Sequence, residues 1–142
     1  MQGIIERLKK YFEKRDMYAF VLLFGSTARG AQHSMSDVDI GVYFEDKENI
    51  LEIGYDVAQL EGLIGKKIDI VVLNDLYKKD PLLAYEIYED HRPIIVTNEE
   101  KYVAFKRNAL VYYLDHLPLI EQNRKVLKKR IEEGKVGERN YA

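Results

Sequence analysis

Two aspartates, Asp37 and Asp39, open a stretch that is otherwise largely apolar as far as Phe44. Side chains alternate between the two faces of a β-strand, so residues 37–44 are predicted to form a strand with both carboxylates on one face. Neighbouring carboxylates repel each other unless a cation lies between them, and an oxygen-rich pair of this kind suits Mg2+. Asp37 alone could be a cap or turn residue, whereas Asp39 lies inside the apolar strand, where an unpaired carboxylate is costly.

A glycine–serine turn precedes this strand. Residues 18–24 form a continuous apolar run that is too short for a helix and predicts a buried strand, ended by Gly25. The Ser26 hydroxyl and the N–H groups of the turn can bind an anion, and Arg29 could offset phosphate charge. Taken singly, the turn could join any strand to a helix, and Arg29 could be a surface residue. Because only ten residues separate Ser26 from Asp37, the combination predicts a phosphate-binding turn beside a metal site.

The remaining pattern alternates helices with strands. A third strand is predicted over residues 67–73, with Asp69 on one face and the isoleucines on the other. Asp69 is the third candidate acid, unless Lys66 or Lys67 pairs with it. The other predicted elements are a helix over 2–15, a helix over 49–64 ended by Gly65, a helix beginning at Asp80-Pro81, a strand over 93–96, and a long helix that is opened by Asn98, interrupted at Pro118 and ended by Gly134.

Composition limits the classes of function. The 142 residues carry a net charge of −2, with 46% hydrophobic residues and no cysteine. This balance predicts a single globular domain over 1–142, with the candidate phosphate and metal sites in a core over about 18–97 and C-terminal helices over about 98–134. The weak charge argues against direct nucleic-acid binding, and the absence of cysteine excludes thiolate zinc sites and cysteine nucleophiles. No apolar run reaches membrane-spanning length, so a cytoplasmic protein without membrane contact is expected.

Three strand-borne carboxylates beside a phosphate-binding turn are the groups that nucleotidyl transfer requires. In that reaction two metal ions about 3.5–4 Å apart can hold the attacking and leaving oxygens on either side of the α-phosphate. Asp37 and Asp39 could bridge such ions. Asp69 could complete the shell of one ion and accept the proton of the attacking hydroxyl. Ser26 and the neighbouring N–H groups would hold the β- and γ-phosphates.

The spacing from Gly25-Ser26 to Asp37-Val38-Asp39 resembles the signature of the DNA polymerase β-like nucleotidyltransferases, and the local sequence is similar to that of their minimal, MNT-type members. The resemblance implies an α+β fold in which a mixed β-sheet is flanked by helices, with a helical C-terminus. It also implies that the aspartate pair and Asp69 are catalytic metal ligands, that the Gly-Ser turn binds the nucleotide, and that the reaction uses two Mg2+ ions with ATP as substrate.

Many small proteins of this kind are antitoxins encoded beside a HEPN-domain ribonuclease toxin. The resemblance therefore implies transfer of AMP from ATP to a tyrosine of such a toxin, which would neutralise it. Two other interpretations stay open. One is a steric antitoxin that binds the toxin without catalysis, and the other is a small-molecule nucleotidyltransferase of the antibiotic-modifying kind.

The C-terminal helices leave a choice between core and interface. Their apolar residues are predicted to be core, although part of them could form a partner-binding surface: Leu110, Val111, Tyr113, Leu114 and Leu117. The basic residues between positions 124 and 130 are interpreted as a solvated helix face.

Overall fold

A mixed four-stranded sheet lies at the centre of the residues that the computed structural model describes, 2–25, 37–119 and 122. Its order is β3-β2-β1-β4; β1 is antiparallel to β2 and β4, and β2 is parallel to β3. The elements are, in chain order, α1 Gln2–Phe12, β1 Tyr18–Phe24, β2 Val38–Phe44, α2 Ile50–Ile64, β3 Ile68–Val72, α3 Leu76–Lys79, α4 Pro81–Glu89, β4 His91–Val96 and α5 Glu99–Asp115. The predicted α+β class, with a mixed sheet flanked by helices, is confirmed.

Each face of the sheet has its own layer of helices. On one face, Val38, Ile40 and Val42 of β2 are fully buried in a cluster that includes residues of α1 and α2. On the other face, Phe20 and Leu22 of β1 are buried against α3, α4 and α5. We call these the α1–α2 face and the α3–α5 face. Because strand side chains alternate, Asp39 belongs to the α3–α5 face.

Capping residues mark four of the helix ends. The side chains of Asn49, Asp80 and Asn98 accept hydrogen bonds from backbone N–H groups in the first turns of α2, α4 and α5. Gly65 ends α2 in the left-handed conformation, with φ of 78°. These caps satisfy N–H and C=O groups that a helix end leaves without partners.

Two boundaries differ from the prediction by more than one residue, and one short helix was not predicted. Helix α1 ends at Phe12 rather than at residue 15. The backbone N–H groups of Lys14 and Arg15 donate to carbonyls three residues back, which is the 3₁₀ pattern and not the α-helical one. Strand β4 begins at His91 rather than at residue 93, since His91 pairs with Phe24 of β1. Helix α3, a single turn, was not predicted because it is too short to show a hydrophobic period.

The prediction of a core along residues 110–117 is wrong. The residues of α5 that are buried are Tyr102, Phe105 and Ala109. Val111 and Leu114 are about half-exposed, and Leu110, Tyr113 and Leu117 are only partly buried. The alternative of a partner-binding surface remains open for this part of α5. Helix α5 ends at Asp115, before Pro118 as predicted; Gly134 and the basic residues between 124 and 130 lie outside the described residues. Among the described helices, none is long and apolar enough to cross a membrane.

A buried carboxylate joins α1, β1 and α2. Asp56 of α2 is completely buried and accepts hydrogen bonds from the hydroxyls of Tyr11 and Tyr18. Arg15 Nε lies 3.0 Å from Asp56 Oδ1, as an ion pair without hydrogen-bond geometry, and Arg15 Nη2 lies 2.5 Å from Glu52 Oε2. Burial, and then the hydrogen bonds to Asp56, raise the pKa of both phenols, which therefore remain donors. This network fixes α1 and α2 against the sheet.

The network predicts a large stability loss for Asp56→Ala. The substitution leaves two tyrosine hydroxyls and one guanidinium without their buried partner, which costs about 3 kcal/mol in the free energy of unfolding. Urea denaturation would measure this loss. The matched control is Asp46→Ala at an exposed position, for which a change within about 0.5 kcal/mol is expected. Equal stability of the two variants would show that the Asp56 network contributes little.

Candidate active site

Strand register places two aspartates side by side. Asp39 of β2 pairs directly with Asp69 of β3, and on its other side Asp39 pairs with Phe24 of β1. Phe24 in turn pairs with His91 of β4. Residues that are paired directly in a sheet project from the same face. The four side chains therefore form one row across the α3–α5 face, with the two carboxylates at the β2–β3 end.

The electrostatics of Asp39 are unfavourable without a bound cation. Asp39 is partly buried, and burial raises the pKa of its carboxyl group above the ordinary value. Repulsion from the carboxylates of Asp69 and Asp37 raises that pKa further. Asp37 precedes β2 directly and, two residues from Asp39, lies on the same side of the strand. The folded protein therefore gathers negative charge at this point on the sheet.

Gly25 brings the end of β1 against this charge. Its φ of 78° lies in the left-handed region, which favours glycine. A Cβ atom at this position would lie 2.4 Å from Asp39 Oδ2, which is closer than two non-bonded atoms can approach. The backbone thus leaves the strand directly beside the Asp39 carboxylate, and only glycine allows both the turn and the contact. Ser26 and Arg29, the other residues predicted to bind the nucleotide, lie outside the described residues, and their role stays a prediction.

The donor chemistry of the aspartates fits Mg2+, which prefers carboxylate oxygens. Asp39 and Asp69 are neighbours whose mutual repulsion a cation would relieve, and Asp37 is two residues away along the chain. In residues 2–25 and 37–119, however, no group of three or more Asp, Glu, His or Cys side chains is close enough to hold a metal ion. The structure therefore offers a carboxylate pair, and the predicted roles of the three aspartates as metal ligands stay predictions.

His91 is part of the row, although nothing in its local sequence predicts that position. Its Nδ1 donates to the carbonyl oxygen of Ile87 at 2.8 Å and lies 3.1 Å from that of Tyr88. Because carbonyls only accept, Nδ1 carries the proton, and Nε2 of the neutral ring accepts from the Tyr102 hydroxyl at 2.8 Å. Burial lowers the pKa of His91, and nearby Lys106 lowers it further. Pairing with β1 places His91 in the row, and pairing is not readable from local sequence.

The comparison with protein families decides the classification. Residues 6–100 match the model of the polymerase beta nucleotidyltransferase family. The chain belongs to that family. Asp37, Asp39 and Asp69, as well as Gly25 and Ser26, all lie within the matched region. The match confirms the fold that the Gly-Ser and Asp-x-Asp spacing predicts.

Individual members of the nucleotidyltransferase family are also similar. The protein adenylyltransferase MntA of Thermococcus cleftensis is 33% identical over 76 residues, which cover 54% of this chain and 77% of MntA. A chain of a toxin–antitoxin crystal structure with AMP-PNP superimposes with a TM-score of 0.68 at 19% identity, over 90% of this chain and 98% of the other. A chain from the complex of the tri-AMPylated Shewanella oneidensis HEPN toxin with its MNT antitoxin gives 0.63 at 16% identity, over 92% and 98%. At these identities the two structures show the fold alone.

The charge at this pair of carboxylates predicts an unusual response to Asp39→Asn. The amide has the shape of the carboxylate but removes the repulsion from Asp37 and Asp69, which is worth about 1 kcal/mol. In EDTA the melting temperature should therefore stay unchanged or rise by about 3–5 °C. In Mg2+ the variant should gain less stability than the wild type, because it has lost a ligand. Asp46→Asn, at an exposed position, is the control. A clear fall of the melting temperature in EDTA would show that Asp39 is structural.

The buried imidazole predicts a pH dependence of stability. Since the pKa of His91 in the folded protein is below its ordinary value of 6.5, the unfolded chain takes up this proton first on acidification. The stabilisation by neutral His91 is thus complete above the unfolded pKa and is lost as the pH falls through it. His91→Gln should lose less free energy of unfolding than the wild type between about pH 7.5 and 5.5. Urea denaturation at a series of pH values measures this, and parallel curves would contradict it.

Proposed function

We propose that this chain is an antitoxin nucleotidyltransferase that transfers AMP from ATP to a tyrosine of a partner HEPN ribonuclease toxin. The observation that carries the proposal is the Asp39–Asp69 pair beside the Gly25 turn, on a fold of the nucleotidyltransferase family. The similarity to MntA and to chains of toxin–antitoxin complexes supports the choice of a protein substrate. Binding of the partner in the cytoplasm, and the use of ATP and Mg2+, are parts of this proposal.

The proposed reaction forms one bond and breaks one bond at the α-phosphorus of ATP. The tyrosine hydroxyl oxygen attacks this phosphorus, the bond to the β-phosphate oxygen breaks, and pyrophosphate leaves. The carboxylate of Asp69 accepts the proton of the hydroxyl. When bound, Mg2+ supplies positive charge that offsets the phosphate oxygens and favours ionisation of the hydroxyl. Asp37, Asp39 and Asp69 would hold it.

The parts of the chain near Gly25 serve the nucleotide in this proposal. Gly25 lets the backbone pass close to Asp39, so that the following turn can bring its N–H groups and Ser26 to the β- and γ-phosphates. Arg29 would offset the remaining phosphate charge. The toxin would approach from the α3–α5 face, where the carboxylates lie and where α5 exposes Val103, Val111 and Leu114. That exposure fits a protein partner.

Intact mass spectrometry tests both the reaction and the acceptor. The protein encoded beside this chain, which the proposal expects to be a HEPN toxin, is incubated with it, ATP and Mg2+, and should gain the mass of one or more AMP groups. Asp37→Ala should abolish the gain, because it removes one of the acids that hold the ion. Asp46→Ala changes an exposed aspartate outside the site and should leave the gain intact.

Two results would contradict the proposal. A stable complex with no gain of mass would indicate that the chain neutralises the toxin by binding alone. Neither complex nor gain of mass would direct attention to small hydroxylated acceptors.

A further inference from the structure

Helix α2 is apolar on two opposite sides. Its inner side packs on the sheet, and its outer side carries a second line of apolar residues with the same spacing of four, three and four. The inner residues are Ile53, Val57, Leu60 and Ile64, and the outer ones, which we call the outer seam, are Leu51, Tyr55, Ala58 and Gly62. Leu51 is 86% exposed and Tyr55 is 53% exposed. A line of apolar residues at this spacing is the pattern with which one helix packs against another.

We propose that the outer seam is a self-association surface, on which α2 packs antiparallel against α2 of a second copy of this chain. The large residues, Leu51 and Tyr55, occupy the first half of the seam, and the small residues, Ala58 and Gly62, occupy the second half. An antiparallel pair places Leu51 opposite Gly62 and Tyr55 opposite Ala58, so that each large side chain meets a small one. The space above Gly62 is open, with no atom within 4 Å of a Cβ built there. A two-fold interface of this kind is self-complementary.

The Tyr55 ring is already held in place within one copy of the chain, by its contact with Arg15. The guanidinium carbon of Arg15 lies 5.3 Å from the ring centroid, and Arg15 itself is held by Asp56 and Glu52. A side chain that is fixed before binding loses less conformational freedom on binding. The first half of the seam therefore presents a preformed surface.

Charge at the two ends of α2 favours the same arrangement. The exposed Asp46 and Glu48 precede its N-terminus, with Lys47 between them. At the C-terminal end lie Lys66 and Lys67, and Arg7 reaches this end with Nη1 3.5 Å from the Leu63 carbonyl oxygen. An antiparallel pair brings the acidic end of one copy to the basic end of the other. A parallel pair would bring like charges together, which is unfavourable.

The position of α2 argues against a substrate protein as the occupant. The outer seam belongs to the helix layer of the α1–α2 face, whereas Asp39 and Asp69 lie on the α3–α5 face. A protein that brings a hydroxyl to the carboxylates therefore has no need to cover α2. Self-association does not depend on the proposed function, and it can be measured without ATP or a toxin.

The interface is small, so the association should be weak. The 15 residues of α2 give a contact about 22 Å long at about 1.5 Å per residue. A single pair of helices of this length buries less surface area than most stable interfaces do. The full chain should therefore convert from monomer to dimer as its concentration rises through the micromolar range. Sedimentation velocity over a concentration series measures this. A chain that stays monomeric up to several hundred micromolar overturns the proposal, even if α2 becomes covered when a toxin is added.

Gly62→Leu tests the seam without weakening the fold. Leucine fills the space that Leu51 of the other copy must occupy, so the dissociation constant should rise at least about tenfold. The melting temperature of the monomer should not fall, because leucine favours a helix more than glycine does. Gly3→Leu is the matched control, since Gly3 is an exposed helical glycine of α1 with equally open surroundings. Dimerisation that Gly62→Leu leaves unchanged would overturn the proposal.

Disulfide cross-linking tests the orientation. The natural chain has no cysteine, so introduced thiols report a single contact. The double variant with Leu51→Cys and Gly62→Cys should form a covalent dimer under mild oxidation, whereas either single variant should do so poorly. Efficient cross-linking of the single variants would indicate a parallel or irregular contact. That result would overturn the antiparallel arrangement. The same conclusion would follow if the double variant did not cross-link at concentrations where the dimer is present.

Discussion

The register of β2 against its two neighbours is the constraint on which the site depends. Val38, Ile40 and Val42 are fully buried on the α1–α2 face, and this burial fixes which residues of β2 project from the opposite face. A shift of one residue would turn Asp39 into the apolar core and expose the aliphatic side chains. The hydrophobic packing of one face therefore positions the carboxylates on the other. The site needs no additional interaction to hold Asp39 beside Asp69.

Local sequence was sufficient for the elements that carry strong signals. The apolar run ended by Gly25, the alternation after Asp37 and the caps Asp80 and Asn98 each predict an element that the structure contains. The spacing of the Gly-Ser turn and the aspartates also predicts the family. These signals were readable because each arises from residues close together in the chain.

Features that depend on distant contacts were not predictable in the same way. His91 lies in the row because β4 pairs with β1, and no residue near His91 in the sequence predicts that pairing. The buried side of α5 depends on the shape of the α3–α5 face, so Phe105 and Ala109 are buried while the equally apolar Leu114 is not. The tyrosine partners of Asp56 come from α1 and β1, 45 and 38 residues away along the chain. An aspartate in a helix gives no sign of such partners.

Asp56 and Asp39 lie in opposite electrostatic environments. Asp56 is completely buried, and two hydroxyls and a guanidinium compensate its charge. Asp39 is only partly buried, yet burial raises its pKa, and repulsion from the carboxylates of Asp69 and Asp37 raises that pKa further. A fold selected for stability alone would favour the first environment and avoid the second. The protein could have placed an apolar residue at position 39, as it does at positions 38 and 40. A cation bound between the carboxylates would give the charge there a physical reason, and that is the role that the sequence predicts for Asp39.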